Sequence, residues 1–290
     1  MVIYKFRYIS FILVCLLWSC EKDKIALYGD LIIEDVSYSF FVAGHVYGTP
    51  EPGLHPPFVS IFPSLNCNEK LEMGFLTGDV VYQSDAVSWQ SAYDALEDLD
   101  VEIHIAPGNH DLNSLETYEA FVGPRFKSFL QNDDLFVVLD PVIDWWKIKG
   151  EQLEFLREAL SAFDGERVFV FMHQPIWYED DNKYAICPPN STDGKWEPSN
   201  FFSIVLPLFH DVEAEVVLFA GDVGARKDRC AVMYDKLDNV HLVASGMGGG
   251  ADDNMVLVNV MNDGSVDFDL IALGREEVDA LGELEDYQIF

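Results

Sequence analysis

The chain is short of positive charge. Its 290 residues carry 18 Lys and Arg against 50 Asp and Glu, a formal net charge of −32. Such a charge repels nucleic acid and anionic membrane surfaces, so neither is expected as a partner. Cysteine is scarce too. There are five, with no Cys-x-x-Cys pair, so a structural zinc knuckle or a redox dithiol is not indicated. The stretch "SGMGGGADD" (Ser245–Asp253) is rich in glycine but lacks the Gly-x-Gly-x-x-Gly spacing and the Gly-Lys-Ser/Thr ending. It is therefore read as a flexible turn, and a nicotinamide-dependent oxidoreductase is set aside. Hydrophobic residues are plentiful: 49% of the chain, with 13% aromatic, enough for one large domain or two small ones.

At the amino end, Lys5 and Arg7 precede an apolar run from Ile9 to Trp18 that contains no acid. This is the layout of a secretory signal over residues 1–19, and the run is too short to span a membrane. Leu17-Trp18-Ser19-Cys20 resembles the lipobox of bacterial lipoproteins. The resemblance implies cleavage before Cys20, a lipid on Cys20, and a tether over residues 20–29. It also implies a place at the bacterial cell envelope, on the periplasmic or outer-membrane face, with the lipid anchor as the only membrane contact. Cys67, Cys187 and Cys230 then remain, an odd number for an oxidising compartment, consistent with one disulfide and a free thiol.

Beyond the tether, β-branched and aromatic runs such as "YSFFVA", "RVFVFM" and "EVVLFA" are apolar throughout, which marks strands covered on both faces. Between them, Asp85–Leu99 and Glu151–Phe163 place apolar residues three and four apart, as helices do. Strands alternating with helices predict an α/β layered domain, spanning residues 30–275. The last three strand runs, Val240 to Leu273, are expected to be antiparallel and to complete a second sheet, with a turn at Asn262-Asp263-Gly264. Glu179–Asn200 is polar and rich in Pro, Asn and Asp, and is expected to form a surface loop over the site. The acidic residues 276–290 are expected to form a loosely ordered tail.

Four apolar runs end alike: "FFVAGH" at Gly44-His45, "GFLTGD" at Gly78-Asp79, "HIAPGNHD" at Gly108 to Asp111, and "LFAGDVG" at Gly221-Asp222. A glycine after a strand lets the chain turn sharply and deliver the next side chain to the crevice beyond the carboxyl ends of the sheet. The residues delivered are His45, Asp79, Asn109, His110 and Asp222, joined by His173 from "FVFMHQP". Imidazole, carboxylate and amide donors without a thiolate suit a divalent ion such as manganese, iron, nickel or zinc.

The ordered series Gly78-Asp79, Gly108-Asn109-His110-Asp111 and the lone His173 resembles the calcineurin-like metallophosphoesterases, with similarity over roughly residues 38–273. That resemblance implies a four-layer α/β/β/α sandwich of two mixed sheets. By the same resemblance, Asp79, Asn109, His173 and Asp222 hold one metal, with Asp222 standing where the family has histidine. The family's other metal takes an Asp-x-His and a final histidine. Here those positions read Ala43-Gly44-His45 and Gly224, leaving His45 and Asp79, so a single tight site is favoured over two. His110 is expected to protonate the leaving group, with Asp111 holding its ring, and His45 to touch the phosphoryl group. Tyr47 and His55 are weaker substrate-contact candidates, and Trp145, Trp146, Trp177, Tyr178 and Trp196 candidate aromatic walls. The expected function is an exported metal-dependent hydrolase of a phosphomonoester or phosphodiester. The alternative is a catalytically weakened protein of the same fold that binds a phosphorylated or glycan ligand.

Overall fold

The computed structural model describes residues 33–275 and 277–290. The signal segment, Cys20 and the tether lie outside the described residues. Eleven strands among the described residues form two sheets. The first runs β11 (Val266–Ala272), β10 (Asn254–Met261), β1 (Val36–Ala43), β2 (Leu71–Thr77), β3 (Glu102–Ala106). The second runs β4 (Lys127–Gln131), β5 (Asp134–Val138), β6 (Arg167–Met172), β7 (Glu215–Ala220), β9 (Val240–Ser245), β8 (Val232–Leu237).

Both sheets are buried on two faces, and the strands show it. Along β1, Tyr38, Phe40 and Val42 join the core between the sheets, while Phe41 and Ala43 join the outer core beneath helices. This is the two-residue alternation of a pleated strand. The inter-sheet core is built on phenylalanine: Phe75 of β2 stacks on Phe171 of β6 with ring centroids 3.7 Å apart, and Phe40 meets Phe169 edge-on at 4.8 Å. Outside the first sheet lies the helix Ala86–Leu96, whose start is fixed by Asp85 accepting from Ser88 N at 2.8 Å. Outside the second lies the helix Gly150–Ser161, burying Leu156 and Leu160. Four layers, helix on sheet on sheet on helix, follow as expected.

Two expectations are corrected. The runs from Val240 to Leu273 do not share a sheet: β9 lies parallel to β7 in the second sheet, whereas the β10–β11 hairpin pairs β10 antiparallel to β1 in the first. The glycine-rich segment after Ser245 makes the crossing. It can do so because Gly246 packs against the Val223 backbone, where a Cβ would sit 2.2 Å from the Val223 oxygen. The acidic tail is docked, not loose. Leu284 is fully buried, and Ile289 N donates to Tyr234 O at 2.9 Å.

Cys187 and Cys230 form a disulfide that closes the loop across 43 residues. Cys67 is disulfide-bonded as well, so the expected free thiol is not found there.

Candidate metal centre

The parallel strands β1, β2, β6, β7 and β9 all present their carboxyl ends on one side. There the two sheets come into direct contact. A Cβ on Gly44 would lie 2.4 Å from Gly221 Cα, and one on Gly221 would lie 2.2 Å from Thr77 O. Any side chain at these two positions would hold the sheets apart. With glycine there, residues from both sheets converge.

Asp79, His173 and Asp222 each offer a ligand atom, all within 4.8 Å of one another, and all three are buried. It is the one such group of three or more among the described residues. His173 Nε2 stands 3.4 Å from Asp79 Oδ1 and 3.7 Å from Asp222 Oδ1. Yet His173 Nε2 and Asp222 Oδ2 are buried without a hydrogen-bond partner. Orphaned polar atoms of this kind are costly unless something else satisfies them. A divalent cation fits that donor set.

Three imidazoles are oriented by one device. His173 Nδ1 donates to Thr77 O at 2.9 Å, His45 Nδ1 to Met247 O at 2.8 Å, and His110 Nδ1 to Tyr82 O at 2.8 Å. A carbonyl can only accept, so each contact puts the proton on Nδ1 and leaves Nε2 as the presented atom. His45 Nε2 faces Asp79 Oδ2 at 3.8 Å. Asp79 and His45 adopt left-handed backbone, φ 55° and 57°, uncommon for residues with a side chain and typical of functional turns.

The charges are matched to one another. Burial disfavours a protonated His173, but Asp79 and Asp222 outweigh it and raise its pKa to about 10. Burial raises Asp222 to about 8 despite His173. Asp79, although fully enclosed, is driven well below the usual carboxylate range by His173. Burial holds His45 below its ordinary value against the pull of Asp79. Without a metal, the His173 proton supplies the positive charge between the two acids.

A cavity of about 410 Å³ opens onto these groups, lined by His45, Asp79, Asn109, His110 and Asp222, with Tyr47 and Tyr82 along one wall. The Tyr47 ring lies 4.4 Å from that of His45 and 5.3 Å from that of His110. A larger cavity of about 690 Å³ sits at the amino ends of β6 and β7 and holds none of these ligands, so chemistry and not size selects the site.

Several expected roles change. Asp111 does not touch the His110 ring. Its Oδ1 accepts from Val80 N at 2.8 Å and Val81 N at 3.0 Å, and its Oδ2 from Gly108 N at 2.8 Å. It staples the two ligand-bearing turns together, and the Tyr82 carbonyl orients His110 instead. His55 does not line the cavity: its Nε2 lies 2.9 Å from Asp253 Oδ2, and Asp253 gathers the amides of Gly248, Gly249 and Gly250. None of the five candidate aromatic residues, Trp145, Trp146, Trp177, Tyr178 and Trp196, lines the cavity; Trp146 and Trp177 are core. Ala43 is fully buried, and a Cβ at Gly224, where φ is 80°, would meet Gly246 backbone atoms at 2.9 Å. Gly224 therefore has no room for the histidine found there in the family pattern.

Asn190, Ser191 and Asp193 also line the cavity, from the loop expected over the site, and are joined by Ala225 and Arg226 from the loop before Cys230, which the sequence reading did not single out. Asn190 N donates to Asp222 O and Asn190 Oδ1 accepts from Ala225 N, both at 2.8 Å. Asn190 Nδ2, the atom a glycan would be joined to, is buried, although Asn190-Ser191-Thr192 spells the sequon.

No curated protein matches the chain. A model of the calcineurin-like phosphoesterase family matches residues 23–224, which takes in every strand-end candidate from His45 to Asp222. The chain therefore belongs to the calcineurin-like phosphoesterase family.

Proposed function

We propose that the chain is an exported phosphoesterase that works with one tightly held divalent metal, hydrolysing a phosphomonoester or phosphodiester. The observation that carries this reading is the buried Asp79–His173–Asp222 group with two polar atoms left unsatisfied. Asp79, His173 and Asp222 would hold the ion, with the Asn109 amide as fourth donor. Such an ion polarises a phosphoryl oxygen and makes water a nucleophile near neutral pH.

The remaining work belongs to side chains. His45 Nε2, held neutral by burial, is placed to touch a phosphoryl oxygen beside Asp79. His110 presents Nε2 with its Nδ1 proton tied to Tyr82 O. In its doubly protonated form, with Nδ1–H kept on Tyr82 O, the ring would give its Nε2 proton to the departing oxygen and be left neutral, a step typically worth about 10²–10⁴ in rate. Tyr47 and Tyr82 flank His110 and would cover the leaving group. Export and anchoring through Cys20 belong to the same reading and rest on the sequence pattern alone.

The test is elemental analysis of protein purified without chelator, beside hydrolysis of p-nitrophenyl phosphate and bis(p-nitrophenyl) phosphate. Near one metal per chain, with activity lost on chelation and in Asp79→Asn, is the expected result. Absence of any bound metal after reconstitution would overturn the enzyme and leave a ligand-binding protein of the same fold.

A further inference from the structure

Arg226 lines the same cavity as Tyr47 and Tyr82, two residues past the segment that the family model matches. It is exposed, and among the described residues it makes no ion pair, in a chain with 50 acids. With Lys227 and Arg229 it forms the densest cluster of positive charge in the sequence, three in four residues. The cluster is held in place. Ala225 N donates to Asn190 Oδ1 at 2.8 Å, Arg229 N donates to Arg226 O at 3.0 Å, and the Cys187–Cys230 disulfide ties the loop to the opposite strand of the wall. Beside it, Asn190 is already engaged: its Oδ1 accepts from Ala225 N and its side-chain amide faces the Asp222 carboxyl. A guanidinium carried on an anchored loop at a cavity wall can receive an anion.

We infer that Arg226 is a specificity-determining residue, and that the substrate is a phosphate ester whose leaving group carries a second anionic group. That inference rests on the phosphoesterase reading. The leaving group would lie along Tyr47 and Tyr82 near His110, and its far end would reach toward Arg226, which lines the same cavity. A planar body with a terminal carboxylate or phosphate fits both walls. Asp193, in the same wall, disfavours any anion that approaches without reaching Arg226.

The test compares phenyl phosphate with 4-carboxyphenyl phosphate, which differ only in the remote carboxylate. The parent is expected to prefer the carboxylated ester in kcat/KM. Arg226→Ala should cut that preference about ten-fold, mostly through KM, as expected for losing one charge-assisted contact at a partly exposed site. Arg226→Lys should restore part of it. An equal preference in parent and Arg226→Ala would overturn the inference. Should neither ester turn over, calorimetry of manganese-loaded protein with phenylphosphonate and 4-carboxyphenylphosphonate decides the same question. Loss of discrimination in Arg226→Ala then upholds the anion receptor while the hydrolase reading fails; no discrimination in the parent sinks the receptor.

Discussion

His173 Nε2 and Asp222 Oδ1 face each other at 3.7 Å with no hydrogen bond between them, enclosed on every side. The gap suits a shared ion and does not suit direct pairing. Asp79→Asn and His173→Ala should each abolish tight metal binding, and activity should fall at least about 100-fold because ion and oriented water are lost together. Metal content and kcat/KM on p-nitrophenyl phosphate check this. A His173→Ala protein that retains one ion per chain would show that the ion lies elsewhere.

The metal-free protein should lose stability as pH rises. His173 is raised from 6.5 to about 10, so its contribution is complete below pH 6.5 and is lost as pH climbs through 10. Asp222 is raised from 3.8 to about 8, so folding also favours its protonated form, and the penalty for ionising it grows toward pH 8. Asp79, shifted downward, is ionised throughout this window and adds no slope. Thermal melts from pH 6.5 to 9 should show a falling Tm without metal, and a manganese-induced rise in Tm that grows with pH as the ion displaces the His173 proton. A flat or rising metal-free Tm would contradict these assignments.

His110 and Asp111, neighbours in one motif, should separate cleanly. His110→Ala should slow esters with poor leaving groups more than those with good ones, since only the former need a proton in the transition state. Asp111→Asn should lower Tm, because its amide keeps one acceptor oxygen and sets an NH2 against a backbone N–H that the other oxygen had accepted from, and leave that leaving-group dependence intact. A series of phenyl phosphates of graded acidity, run beside melting curves, distinguishes the two. Loss of leaving-group dependence in Asp111→Asn would reinstate it as the ring's partner.

Gly224→His should not rebuild a second metal site. The new Cβ would meet Gly246 backbone at 2.9 Å in a left-handed conformation, a strain costing roughly 1–3 kcal/mol. Denaturant midpoint and metal stoichiometry read the outcome, and two ions per chain at unchanged stability would refute it.

Cys187→Ser with Cys230→Ser should release both strands of the recognition wall. Stability is expected to fall by about 2–4 kcal/mol, the usual worth of a disulfide. KM should rise more than kcat falls, because Asn190 and Arg226 move while Asp79 and His173 do not. Unchanged KM would mean that the wall holds its shape without the crosslink.

The ligands were legible from sequence because each follows a strand run directly: Gly78-Asp79, Gly221-Asp222 and Met172-His173 are local signals of a chain leaving a sheet. Asn190 and Arg226 carry no such mark. Their positions depend on a disulfide 43 residues long and on hydrogen bonds between two irregular loops. Asp111 misled for a related reason. Adjacency to His110 suggested ring contact, but the tight turn aims its carboxylate at amides across the motif. His55 was unreadable because its partner, Asp253, lies 198 residues away. The β10–β11 hairpin was recognised as a hairpin, yet nothing in its own residues says which sheet it joins.

The exchange of histidine for aspartate at position 222 reaches beyond coordination. Two carboxylates would leave a bound dication formally neutral at the floor of the cavity, in a chain of charge −32. An approaching phosphate would then find little attraction at the metal itself and would be drawn by Arg226, which lines the cavity. Capture would accordingly be governed at the entrance, slowing as ionic strength rises, while the chemical step below stays insensitive to salt.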